Sequence, residues 1–145
     1  FPLPVETADG KIHLADPAPI TWYPPHGGPE PFQLVCAPAV HTLNSSFQEC
    51  DTLTRLRGQM QVRLNGTDAR ALGLSHGDRV VLSNELGEMT CPAALDRKVA
   101  PGTVVAEGVY PGANTVNCLT HPRLSDLGEA TTLNDNRVWV RPEKI

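Results

Sequence analysis

Two stretches of this chain carry the polar side chains from which a binding site can be made. The first is HTLNSSF, residues 41–47, which follows the apolar run FQLVCAP at 32–38. It offers the imidazole of His41, the carboxamide of Asn44 and the hydroxyls of Thr42 and Ser45. Such groups, with the backbone N–H donors at a strand end, bind phosphate oxygens and the edges of heterocycles. The same residues also suit a helix N-cap, with Asn44 or Ser45 as the cap. The second stretch is GVYPGANTVNCLTHP, residues 108–122. Asn114 and Asn117 each present a donor and an acceptor there, the pair of functions that reads ring N–H and C=O groups. Turn chemistry is the competing use, because Asn tolerates positive φ.

Other chemistries lack their residues. There is no G-x-S-x-G elbow, H-E-x-x-H pair, Walker loop or G-x-G-x-x-G turn. The histidines at 13, 26, 41, 76 and 121 are scattered, and no two cysteines among Cys36, Cys50, Cys91 and Cys118 form a C-x-x-C pair. Neither a catalytic residue nor a metal ligand is expected in this chain. The four thiols are expected to be reduced and mostly buried. A net charge of −4 argues against nucleic-acid binding, which needs a basic face. No apolar run approaches the roughly 20 residues that span a bilayer, so no membrane partner is expected.

The elements that must position the two polar stretches are short. Residues 1–31 hold eight of the fourteen prolines and are read as an extended arm. From residue 32 onward the pattern is of strands: 32–38, 59–65, 79–84, 88–96, 102–108 and 137–142, with Met60, Val62 and Leu64 alternating on one face of the second. The ELG at 85–87 predicts a hairpin, and Pro92 predicts that the strand after it is an edge or carries a bulge. Residues 45–56 are read as a loop or short helix. In DARALGLSHGDRVVL, a two-turn helix begins at Asp68, capped by Thr67 or Asn65 and ended by Gly73. Ala69, Leu72 and Leu74 form its buried side, and Gly77–Asp78 turns directly into the next strand. The implied class is an all-β barrel or sandwich with a few small helices. At 145 residues, one domain is expected, burying about 70 % of its unfolded surface.

In this order, GKIHL, HTLNSSF, DARALGLSHGDRVVLSNELGEM, VAPGTVVAEG, NTVNCLT and DLGEATTLNDNRVWV resemble the C-terminal molybdopterin-dinucleotide-binding domain of the dimethyl sulfoxide reductase family of molybdenum oxidoreductases. The resemblance runs from about Gly10 to Val140. It implies a six-stranded double-psi β-barrel with short helices. It also implies that the domain closes over bis(molybdopterin guanine dinucleotide) from one side, while Mo or W is held by other parts of the enzyme. By position, His41, Thr42, Asn44 and Ser45 match the family's first cofactor-contacting loop, and Asn117 with Thr120 matches the loop that meets the pterin. Ser125, Asp126 and Gly128 fall in the stretch that continues that surface. Many relatives carry an Arg shortly before the His of the first loop; Pro38, Ala39 and Val40 stand there in this chain, so a phosphate contact from this loop is not expected.

The resemblance implies as partners the upstream domains of the same enzyme, residues 1–31 being the link to them, or a separate large catalytic subunit. In the latter case the chain is a free-standing barrel subunit such as that of a formylmethanofuran dehydrogenase. The absence of a secretory signal favours a cytoplasmic setting, and the Phe at position 1 favours a piece of a longer polypeptide. A self-cleaving decarboxylase of the same barrel needs a Gly-Ser dipeptide, which is absent.

Overall fold

The structure, a computed structural model, describes residues 6–13, 30–108, 110, 115–125 and 129–143. Most of the proline-rich arm, together with Asn114, Asp126 and Gly128, lies outside the described residues. Within the arm, residues 7–10 make a hydrogen-bonded turn, with Gly10 N–H donating to Thr7 C=O at 3.0 Å.

Six strands close into a barrel: β1 (Phe32–Ala37), β2 (Val62–Leu64), β3 (Arg79–Asn84), β4 (Gly87–Leu95), β5 (Thr103–Glu107) and β6 (Asn136–Pro142). Around the barrel the order is β1-β5-β2-β4-β3-β6. β1 runs parallel to β5 and β2 parallel to β4, whereas the other neighbours are antiparallel. The connection from β1 to β2 therefore crosses β5, and that from β4 to β5 crosses β2. These two interlocked crossings make the six-stranded double-psi β-barrel that the resemblance implies.

The interior is built from the inward member of each alternating pair. Leu34, Val62, Leu64, Val80, Leu82, Val104, Ala106 and Val138 are fully buried. Most residues between them are at least partly exposed, Val81 being buried as well, and Arg63 pairs across the surface with Glu107 at 2.7 Å. Met60 is buried although it lies just before β2, so the predicted 59–65 strand is shorter than its alternation suggests. Pro92 does not mark an edge, because the closed barrel has none. It is the last residue of β4 to face β3 (Arg79↔Pro92), and the next residue, Ala93, is the first to face β2. The proline sits where the strand changes partner.

The short helix α2 (Gly66–Ala71) begins two residues earlier than predicted, because Asn65 is the cap: its Oδ1 accepts from Thr67 N–H at 2.8 Å. Asp68 accepts from Gly102 N–H at 2.8 Å, pinning the helix to the turn that opens β5. Gly73 takes φ +69°, the left-handed residue that ends the segment, and Ala69 and Leu74 are buried beneath it, with Leu72 half-buried. The thiols differ from expectation. Cys91 alone is buried; Cys36 and Cys118 are half-buried and Cys50 is exposed, all four being free. Burial pushes the Cys91 thiol up to about 11.

Candidate functional site

The parallel pairing of β1 with β5 decides where the polar stretches go. Ala37 and Glu107, the last residues of the two strands, face each other, and Gly108 N–H donates to Ala37 C=O at 2.8 Å. Parallel neighbours end on the same rim. The loops that follow them, 38–50 and 108–122, therefore leave the barrel side by side.

Each loop is shaped by its own hydrogen bonds. In the first, Ser46 N–H donates to Leu43 C=O at 2.8 Å, making a tight turn in which Asn44 has φ +51°. Asn44 is not a helix cap. The next helix, α1 (Asp51–Arg57), is preceded by Cys50 at the cap, with no side-chain hydrogen bond. In the second, Thr115 caps a 3-10 helix, Val116–Leu119, accepting from Asn117 N–H at 3.1 Å. Val116 and Leu119 are buried, and Asn84 Nδ2 donates to Leu119 C=O at 2.8 Å, so the helix is fixed against the β3–β4 hairpin. The Cys118 thiol donates to Glu88 C=O at 3.4 Å, and His121 contacts Glu85 at 2.8 Å. With its neighbours held inward, Asn117 is left exposed on the rim.

A cavity of about 140 Å³ opens between the loops. Asn44 lines it from one side, and Asn117 and Thr120 from the other. Its floor is the ends of the parallel pair, Cys36 to Pro38 with Ala106 and Gly108, and Leu133 closes it. No lining residue carries a formal charge. The Cys36 thiol is pushed up by burial, with the Thr120 hydroxyl beside it partly opposing the shift. Gly108 has φ +75°, and a Cβ there would lie 2.9 Å from Ala39 Cβ and 3.3 Å from Tyr110 Cε2. Only glycine lets the second loop approach the first this closely.

The remaining predicted residues are distributed differently. Thr42 is buried, and its Oγ1 has no hydrogen-bond partner among the described residues. His41 is exposed and does not line the cavity. Ser45 borders a separate open depression with Phe47 and Cys50. Ser125 is turned to its own loop, exchanging hydrogen bonds with Ala130 at 2.7 and 3.1 Å. Cys36, Gly108 and Leu133 were absent from the predicted set. Gly108 was open to detection in the Gly- and Pro-rich stretch it begins, whereas Leu133 carries no local signal.

Against this geometry stands the sequence profile of the molydopterin dinucleotide binding domain, which matches residues 32–137 and so covers both loops and all but the end of the barrel. The chain belongs to this family. It is 33% identical, over 158 aligned positions, to the "Probable oxidoreductase YoaE" of Bacillus subtilis (strain 168), the match taking in 100% of this chain and 23% of that protein. It is 31% identical over 113 positions to the "Probable dimethyl sulfoxide reductase chain YnfF" of Escherichia coli (strain K12), covering 70% of this chain and 14% of the relative. Among solved structures, the acetylene hydratase from Pelobacter acetylenicus superimposes with a TM-score of 0.59 at 12% identity, over 79% of this chain and 19% of that one. This molydopterin dinucleotide binding domain thus spans less than a quarter of either curated relative. Among its described residues, no group of three or more His, Cys, Asp or Glu side chains could hold a metal ion, and no helix is long and apolar enough to cross a membrane.

The residues present suit a large polar ligand. Buried polar atoms are nearly always hydrogen-bonded, and Thr42 Oγ1 is an orphan among the described residues. At about 140 Å³ the cavity is under half the size of pockets that enclose a drug-sized ligand, about 300 Å³ and upward. At that size it has room for only one edge of a larger ligand.

Proposed function

We propose that the rim between the loops after β1 and β5 binds one edge of a molybdopterin guanine dinucleotide, as part of bis(molybdopterin guanine dinucleotide) in a larger oxidoreductase. The observation that carries this reading is the shared cavity of Asn44 and Asn117, two carboxamides 73 positions apart in the chain that meet across about 140 Å³. Both are exposed at the rim, and neither side-chain amide donates a hydrogen bond to another described residue. Each therefore has a donor and an acceptor to offer a heterocycle edge. The Thr120 hydroxyl adds a polar atom on the Asn117 side, and the apolar floor excludes water from the contact. His41 and Ser45 stand further out, where the ligand leaves the cavity.

The group, when bound, supplies the metal, Mo or W, through which the electrons of the oxidoreduction pass. This chain's residues orient one edge of it and shield that edge from solvent. The metal's protein ligand and the substrate site belong to other domains of the polypeptide or to a large catalytic subunit. The small share of each relative that the chain covers supports the first of these. Neutral carboxamides bind weakly by themselves, so the isolated chain is expected to retain little cofactor.

The test is made on the whole gene product that carries this chain. Asn117→Ala and Asn44→Ala are each expected to lower retained guanine nucleotide and metal about 2- to 10-fold, the worth of one neutral hydrogen bond. Nucleotide and metal contents equal to the wild type in both variants would refute the reading.

A further inference from the structure

The cavity holds no formal charge, yet the ligand class proposed for it is anionic. A candidate cation comes from an unexpected element. Arg57 is the last residue of α1, and its guanidinium carbon lies 4.4 Å from the centroid of the Tyr110 ring. Tyr110 bridges it to the site: one face of the ring underlies the guanidinium, and one edge lies against Gly108, which lines the cavity. The helix itself is tied to the first loop, Thr54 Oγ1 donating to Gln48 C=O at 2.9 Å.

Arg57 Nε and Nη1 are buried and donate to no acceptor among the described residues. This separates Arg57 from other arginines of the barrel. Arg63 pairs with Glu107, Arg141 with Glu88, and Arg137 donates to the carbonyls of Glu30 and Pro31. A guanidinium cannot shed its proton to escape burial. It stacks on the Tyr110 ring, with two donors that no acceptor among the described residues takes up.

We infer that Arg57 is the anion-binding residue of this rim, donating from its unpartnered N–H groups to a phosphate oxygen of the dinucleotide. The inference rests on the reading above of the rim as a dinucleotide-binding surface. It supplies, from the end of α1, the charge that Pro38, Ala39 and Val40 do not.

The experiment uses the whole gene product, once loaded with cofactor and once stripped of it. Guanine nucleotide lost from the loaded protein is followed over time and across salt concentrations, and the melting temperature of the stripped protein is recorded. Arg57→Gln is expected to speed nucleotide loss about 10- to 100-fold, as for a charged hydrogen bond, and to flatten its dependence on salt. Arg57→Lys, which keeps the charge without the planar fork, is expected to fall between. The stripped Arg57→Gln protein is expected to melt no lower than wild type, since an unpaired buried charge has been removed. If nucleotide loss is unchanged in Arg57→Gln but faster in Asn117→Ala, the rim reading stands and the role of Arg57 is overturned. Unchanged loss in both variants overturns both. A stripped protein that melts lower, with nucleotide loss unchanged, shows that Arg57 serves the fold and overturns the phosphate assignment.

Discussion

Asn136, the first residue of β6, holds the loops of the site to the barrel through one amide. It is 1% exposed. Its Oδ1 accepts from His121 N–H at 2.8 Å, and its Nδ2 donates to Leu133 C=O at 3.0 Å and more weakly to Thr132 C=O at 3.4 Å. His121 follows Thr120, and Leu133 lines the cavity, so the second loop and the residue that closes the cavity both depend on this contact. Asn136→Ala deletes the amide without adding bulk. Two good hydrogen bonds at about 0.5–1.5 kcal/mol each, plus part of the desolvation cost of the groups left behind, sum to about 2–3 kcal/mol. That is a large share of a typical stability of about 5–15 kcal/mol. For a domain of this size it corresponds to a melting temperature lower by about 4–12 °C. Urea unfolding of the chain followed by far-UV circular dichroism measures it, with the midpoint lowered and the slope unchanged. A loss below about 0.5 kcal/mol would show that water replaces the amide and that the rim does not depend on it.

Two further substitutions and one titration probe the same architecture. Gly108→Ala is expected to cost about 1–3 kcal/mol in urea unfolding, because the left-handed φ of +75° and the 2.9 Å approach to Ala39 act together. Gly73→Ala, at φ +69° with nothing within 4 Å, is expected to cost only about 1 kcal/mol; equal losses would show that the loop contact at Gly108 yields freely. The raised Cys91 thiol predicts alkaline sensitivity. Its folded value near 11 lies above the ordinary thiol value of 9.0, so its contribution is complete below pH 9 and is lost as pH rises towards 11. The loss amounts to about 2–3 kcal/mol. Denaturation midpoints from pH 8.5 to 11 should therefore fall less steeply in Cys91→Ala than in wild type; parallel curves would contradict the assignment.

Local patterns made most of the barrel readable. Short apolar runs bounded by turn residues located all six strands to within a few residues, and the 79–84 strand has its predicted bounds, because both signals are local. The Asn65 cap and the Gly73 stop were legible for the same reason: they satisfy the backbone within a few residues. Pro92 misled because its exclusion from central strands presumes an open sheet, and here it falls where β4 changes partner. Pairing was beyond reach. The parallel contact of β1 with β5 joins residues about 70 positions apart, and nothing local marks it. Asn44 and Asn117 were identifiable as polar loop residues, but only the register brings them to one cavity. Arg57 was invisible for a related reason: a basic residue ending a short helix looks like ordinary dipole complementation until Tyr110 is seen beneath it.

The crossed connections of the barrel have a consequence for biosynthesis. β1 is flanked by β5 on one side and β6 on the other, so its edges stay bare until residues 103–107 and 136–142 have been made. Neither half of the cylinder can shut alone, since each connection passes over a strand of the other, and such distant pairings form late. A nascent chain that stops short of β6 has the asparagines but no rim to mount them on. On the reading proposed for the rim, cofactor loading waits for β6 to leave the ribosome, and the mouth of the barrel becomes a mark that translation of this segment is complete.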